Sequence, residues 1–177
     1  TGLYDQVVAL LKECGKTVVD DGGVMPNPTA ERLLEGRDRA REKGVDFILA
    51  VGGGSVADYA KAVSVSVHCD EDPWERYYLR FEEVECDVVP VGCVLTMAGT
   101  GSEMNGGAVI TNQDKKVKTG RDYPQLNPRF ALMDPTYTYS VPKSQMVSGS
   151  FDILSHIMET YFSAPDQDNV SDDIMEA

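Results

Sequence analysis

Asp152 and His156 stand four residues apart in Asp152-Ile-Leu-Ser-His156, which brings both side chains onto one face of a helix. A carboxylate and an imidazole so placed can share a zinc or ferrous ion, or they can form a plain hydrogen-bonded pair. A catalytic metal normally takes at least three protein ligands. The other histidine, His68, ends a helical stretch beside an acidic loop, so no third ligand is evident in the 177 residues.

A second constellation is Val51-Gly52-Gly53-Gly54-Ser55, where an apolar run meets the start of a helical pattern. Glycine lets backbone approach an anion closely, and the free amides of a helix start attract phosphate. Ser55 adds a hydroxyl at the expected N-cap. The pattern is neither G-x-G-x-x-G nor a Walker A, because no Lys-Ser/Thr pair follows. A tight turn that needs glycine only for its backbone angles is the alternative, and three in a row exceed that need. Asp58 and Lys61, taken alone, read as an exposed pair on the helix surface. Thr96-Met-Ala-Gly-Thr-Gly-Ser-Glu103 is rich in hydroxyls directly after a strand. It either faces a ligand crevice at the carboxyl ends of parallel strands or only satisfies its own backbone, and alone it favours the second.

The elements that must carry these groups follow from periodicity. Leu3, Val7, Leu10, Leu11 and Cys14 mark an amphipathic helix over 2–14, ended by Gly15. A short strand is expected at 16–20 and a helix over 29–43, capped by Thr29 and stopped by Gly44. The run 46–51 reads as a parallel strand covered on both faces. With a helix over 55–67 and a strand at 88–96 it makes a βαβ unit. Residues 108–111 and 116–118 suggest a hairpin, and 130–133 one more strand. Beyond Pro142 a helix is expected over 148–163, then an acidic loop from Pro165 and a helix over 172–177.

Charge and composition narrow the partners. Sixteen Lys and Arg against 29 Asp and Glu leave a net charge of −13, which repels nucleic acid and anionic membranes. No apolar run approaches the roughly 20 residues of a bilayer-spanning helix. The four cysteines form no Cys-x-x-Cys pair, as expected of reduced, mostly buried thiols in a cytoplasmic protein.

Taken in order, these segments resemble the iron-containing (group III) alcohol dehydrogenases, nearest the NADPH-dependent butanol dehydrogenase and aldehyde reductase branch. The resemblance rests on Gly23-Val-Met-Pro-Asn-Pro-Thr29, Ala50 through Lys61, Asp72-Pro-Trp74, Val91-Gly-Cys-Val-Leu-Thr96, Gly99 through Thr111, Met133-Asp-Pro-Thr-Tyr-Thr138 and Gly149 through His156. It implies an α/β fold: a Rossmann-like dinucleotide-binding domain with a parallel sheet over 1–142, then the start of an all-helical metal-binding domain over 143–177. Gly53, Gly54 and Ser55 would hold the cofactor pyrophosphate, with Asp58 toward the nicotinamide. Thr96, Thr100 and Ser102 would line the cleft, and Lys118 would reach a ribose hydroxyl. Asp152 and His156 match the first two ligands of Fe2+ or Zn2+, a Lewis acid for the substrate oxygen during hydride transfer.

The resemblance further implies NADP(H) rather than NAD(H), a small aldehyde or alcohol substrate and a homodimeric parent. Family members are much longer, so the chain is expected to be an internal fragment without the first strand and most of the helical domain. The parent is expected to be an enzyme and the fragment alone inactive. A glycerol dehydrogenase-like polyol or hydroxy-acid oxidoreductase, or an inactive nucleotide-binding module, are the other readings.

Overall fold

The computed structural model describes residues 2–163 and 170–177. Helix α1, Leu3–Glu13, buries only Leu3, and Gly15 ends it with a left-handed φ of 72°. Helix α2, Ala30–Lys43, is capped as expected, with the Arg32 amide donating to Thr29 Oγ1 at 3.2 Å. Such a cap is worth about 1 kcal/mol. Gly44, at φ 60°, stops the helix.

A three-stranded parallel sheet follows, in spatial order β1 (Ile48–Gly52), β2 (Val91–Leu95) and β5 (Ala131–Leu132). Helix α3, Gly54–Ser66, crosses from β1 to β2 and completes the βαβ unit. Ala57 and Ala60 of α3 meet Ala50, Val91 and Cys93 of the strands. Small side chains there let the helix lie close to the sheet. Its other flank enters a larger core with Leu33, Tyr77, Ile110 and Leu126. Strands β3 (Gly107–Asn112) and β4 (Val117–Asp122) form the expected antiparallel hairpin, with Asn112 opposite Val117. Helix α4 spans Lys143–Ser163 and helix α5 Val170–Glu176.

Three expectations are corrected. Residues 16–20 form no strand, because no described strand lies beside them to complete a ladder. Side chains of α2 hold that segment instead: Arg39 donates to the Asp20 carbonyl at 2.8 Å and Arg32 to the Asp21 carboxylate at 2.5 Å. Strand β1 is therefore an edge of the described sheet, and only Ala50 in it is buried. The strand covered on both faces is β2, buried at all five positions. Helix α4 begins five residues before the expected 148, directly after Pro142, whose fixed φ suits a helix entry. A π-helical turn over Trp74–Leu79 has no counterpart in the periodicity reading; it buries Trp74, Tyr77 and Tyr78. The acidic loop expected from Pro165 lies, through residue 169, outside the described residues.

Candidate active site

The glycine turn closes β1 and opens α3. Gly52 is set by packing, since a Cβ there would stand 2.5 Å from Val56 Cγ2. Gly53 has an ordinary φ of −91°, and none of the three glycines is left-handed. Backbone angles therefore do not explain them. A Cβ on Gly53 would meet Met97 at 3.5 Å, an ordinary contact, so the protein itself leaves room for a side chain where the sequence has none.

The N-cap of α3 is Gly53, two residues earlier than the Ser55 cap expected from sequence. Strand β1 runs through Gly52, so Ser55 is already inside the helix. The amides of Val56 and Ala57 bond to the Gly53 carbonyl, leaving those of Gly54 and Ser55 as first-turn donors. Ser55 Oγ instead accepts from the Asn27 amide at 3.3 Å. Asn27, at φ 56°, also takes the Lys118 ammonium on Oδ1 at 2.8 Å. Lys118 on β4 is thereby linked to the glycine turn through one residue of the Pro-Asn-Pro loop. The Pro-Asn-Pro loop stands in the sequence, but neither the left-handed backbone of Asn27 nor a role for it could be read there.

The hydroxyl-rich loop after β2 lies against the same helix. The Thr96 amide donates to the Gly52 carbonyl at 3.0 Å, and a Cβ on Gly54 would come within 3.0 Å of Thr100 Oγ1. Deeper in, Ser102 Oγ donates to Asp58 Oδ1 at 2.5 Å and the Val109 amide to Asp58 Oδ2 at 3.1 Å. The reading of Asp58 and Lys61 as an exposed pair is overturned. The Lys61 side chain is fully buried and that of Asp58 is 17% exposed, because loop 99–109 folds over this face of α3. Burial lowers the Lys61 pKa, and the Asp58 carboxylate opposes that shift. Gly53, Gly54, Ser55, Thr96 and Thr100 thus gather at the start of α3, with Asp58 and Ser102 packed beneath them.

Residues 1–135 match the family of iron-containing alcohol dehydrogenases. The chain belongs to that family. It is 41% identical over 99% of its length to a probable NADH-dependent butanol dehydrogenase 1 of Bacillus subtilis, covering 46% of that protein. It is 39% identical over 97% of its length to the NADPH-dependent aldehyde reductase YqhD of Escherichia coli, covering 44%. The crystal structure of an NADH-dependent butanol dehydrogenase A from Thermotoga maritima superposes with a TM-score of 0.93 at 40% identity, over 99% of this chain and 43% of that one. The chain therefore spans under half the length of these relatives.

The family's metal raises the question of whether Asp152 and His156 fit one. Their Oδ2 and Nε2 atoms are 3.7 Å apart on α4, beyond hydrogen-bond range, with both side chains more than half exposed. No hydrogen bond joins them in this arrangement. Two ligands each about 2.1 Å from a tetrahedral ion lie roughly 3.4 Å apart, so a small rotamer change admits one. Gly149 shares their helix face (i, i+3, i+7), and a Cβ on it would stand 3.5 Å from Met97 Cε and 3.8 Å from the Ala98 carbonyl. The face of α4 that carries Asp152 and His156 thus begins against the loop after β2. Among the described residues no group of three or more metal-binding side chains occurs.

Proposed function

We propose that this chain supplies the dinucleotide site and two metal ligands of a reductase that moves hydride between NAD(P)H and a small aldehyde or primary alcohol. The observation that carries the reading is the glycine turn: Gly53 and Gly54 are required neither by backbone angle nor, at 53, by packing. Close approach of a diphosphate to the α3 amides accounts for them. In this reading Ser55, Asn27 and Lys118 border the ribose side, and Thr96 and Thr100 the opposite wall. Asp58 and Ser102 hold that wall in place.

Asp152 and His156 would hold the iron or zinc ion, which supplies Lewis acidity at the substrate oxygen when bound. The remaining ligands come from outside the described residues. The names of similar proteins divide between NADH and NADPH. We keep NADP(H) over NAD(H) as the finer reading, with a homodimer working in the cytoplasm as its setting. The four free thiols suit a reducing compartment, and no described helix is long and apolar enough to cross a membrane. The test is a fluorescence titration of the whole protein with NADH and with NADPH, followed by butanal turnover with added ferrous or zinc ion. Binding of one nucleotide with metal-dependent oxidation supports the reading; binding of neither overturns it.

A further inference from the structure

We infer that buried Lys61 is a positioning residue of the nucleotide site, an internal cation that moulds the loop after β2 against helix α3. The inference rests on the dinucleotide reading above. Three positions of α3 at i, i+4 and i+7 meet that loop in order. Gly54 faces Thr100, Asp58 binds Ser102, and Lys61 binds Ser102 and Asn105.

The Lys61 ammonium donates to the Ser102 carbonyl at 2.8 Å, the Asn105 carbonyl at 3.1 Å and Asn105 Oδ1 at 3.2 Å. An ammonium has three donors, and all three are committed to the loop. Lys61 therefore has none left for substrate or cofactor, which separates it from a catalytic group. Both oxygens of Ser102 are fixed from α3, the hydroxyl by Asp58 and the carbonyl by Lys61. In a planar trans peptide the carbonyl and the following amide point in opposite directions. With the Ser102 and Asn105 carbonyls drawn onto Lys61, the amides of Glu103 and Gly106 are turned away from it. Asn105 Oδ1 also accepts from the Gly107 amide at 3.0 Å, which carries the constraint into β3.

An ammonium at this place does what a neutral side chain cannot. Two backbone carbonyls and an amide oxygen converge in a buried space, and without a cation they would repel one another and stay unsatisfied. The loop that bears Thr100 is thus set before any nucleotide arrives, so ligand binding does not have to order it.

The test uses the whole protein and its Lys61→Met variant, with NADH and NADPH titrations well below the melting temperature and amide hydrogen exchange over 99–109. We expect the dissociation constant for the preferred nucleotide to rise about tenfold, as for the loss of hydrogen bonds to a charged group. Exchange should quicken in the loop and stay unchanged in β1 and β2, whereas a merely structural role would quicken it throughout. An unaltered dissociation constant in a variant whose wild-type parent binds nucleotide overturns the inference. Failure of the wild type to bind either nucleotide instead overturns the dinucleotide reading. Should Lys61→Met not fold, the wild type alone decides. Loop amides equally protected with and without nucleotide support a loop already set by Lys61; protection that arises only on nucleotide addition overturns it.

Discussion

Ser102 Oγ donates to Asp58 Oδ1 at 2.5 Å, joining the loop after β2 to the second turn of α3 across 44 residues of sequence. Asp58 accepts the Val109 amide as well, so one carboxylate fastens both the loop and the first strand of the hairpin. Removing it leaves a buried hydroxyl and a backbone amide without an acceptor. Asp58→Ala should therefore destabilise the protein by about 1–3 kcal/mol in urea unfolding and weaken nucleotide binding. A variant as stable as the parent would show that the bond contributes nothing net.

Gly53→Val separates folding from binding. A Cβ at this position makes only an ordinary contact with Met97 and the backbone angles are open to any residue. The melting temperature should stay within about 4 °C of the parent, a change of under roughly 1 kcal/mol. Nucleotide affinity should fall sharply, because the branched side chain intrudes where a diphosphate must approach. An unchanged dissociation constant would remove the phosphate from this turn.

Asp152→Ala should abolish stoichiometric metal in the whole protein while its circular dichroism is retained. The side chain is 54% exposed on α4, so its loss removes little packing. Metal content measured by elemental analysis checks this, and full occupancy in the variant would refute the ligand assignment.

Four buried tyrosines should set the alkaline limit of stability. Burial raises the pKa of Tyr59, Tyr77, Tyr78 and Tyr123 above the ordinary 10.0; Asp21 adds to the effect at Tyr59. Above pH 10 the unfolded chain sheds phenolic protons that the folded chain keeps, so stability falls as pH rises. Lys61, with a lowered pKa, acts in the opposite direction below its ordinary 10.5, but it is one group against four. Unfolding and the phenolate absorbance of these tyrosines should therefore appear together above pH 10. Phenolate formation from all eight tyrosines without loss of helix signal would contradict it.

The 177-residue chain expressed by itself should self-associate. Ile153, Leu154, Ile157 and Met158 are between 37% and 48% exposed on α4, and Phe151 and Phe162 about 70%. A contiguous apolar face of that kind favours association. Sedimentation that finds only monomer across a range of concentrations would dispose of the expectation, as would metal-dependent NADPH oxidation for the expectation that the chain alone is inactive.

The sequence by itself determined the local elements and the family. Thr29 caps α2, Gly15 and Gly44 end their helices in left-handed backbone, and the βαβ unit lies where the apolar runs and glycines place it. Those features depend on neighbours within a few residues, which a linear pattern records. What tertiary structure decided depends on distant partners. Residues 16–20 have the composition of a strand but no adjacent strand, and β1 reads as a covered strand yet forms an edge. Lys61 and Asp58 match a solvated helix pair in spacing, and nothing local shows that a loop 41 to 51 residues onward folds over them. Burial is a property of the whole chain's packing, so the same two residues that a periodic pattern assigns to water become the internal charges that hold the site's second loop.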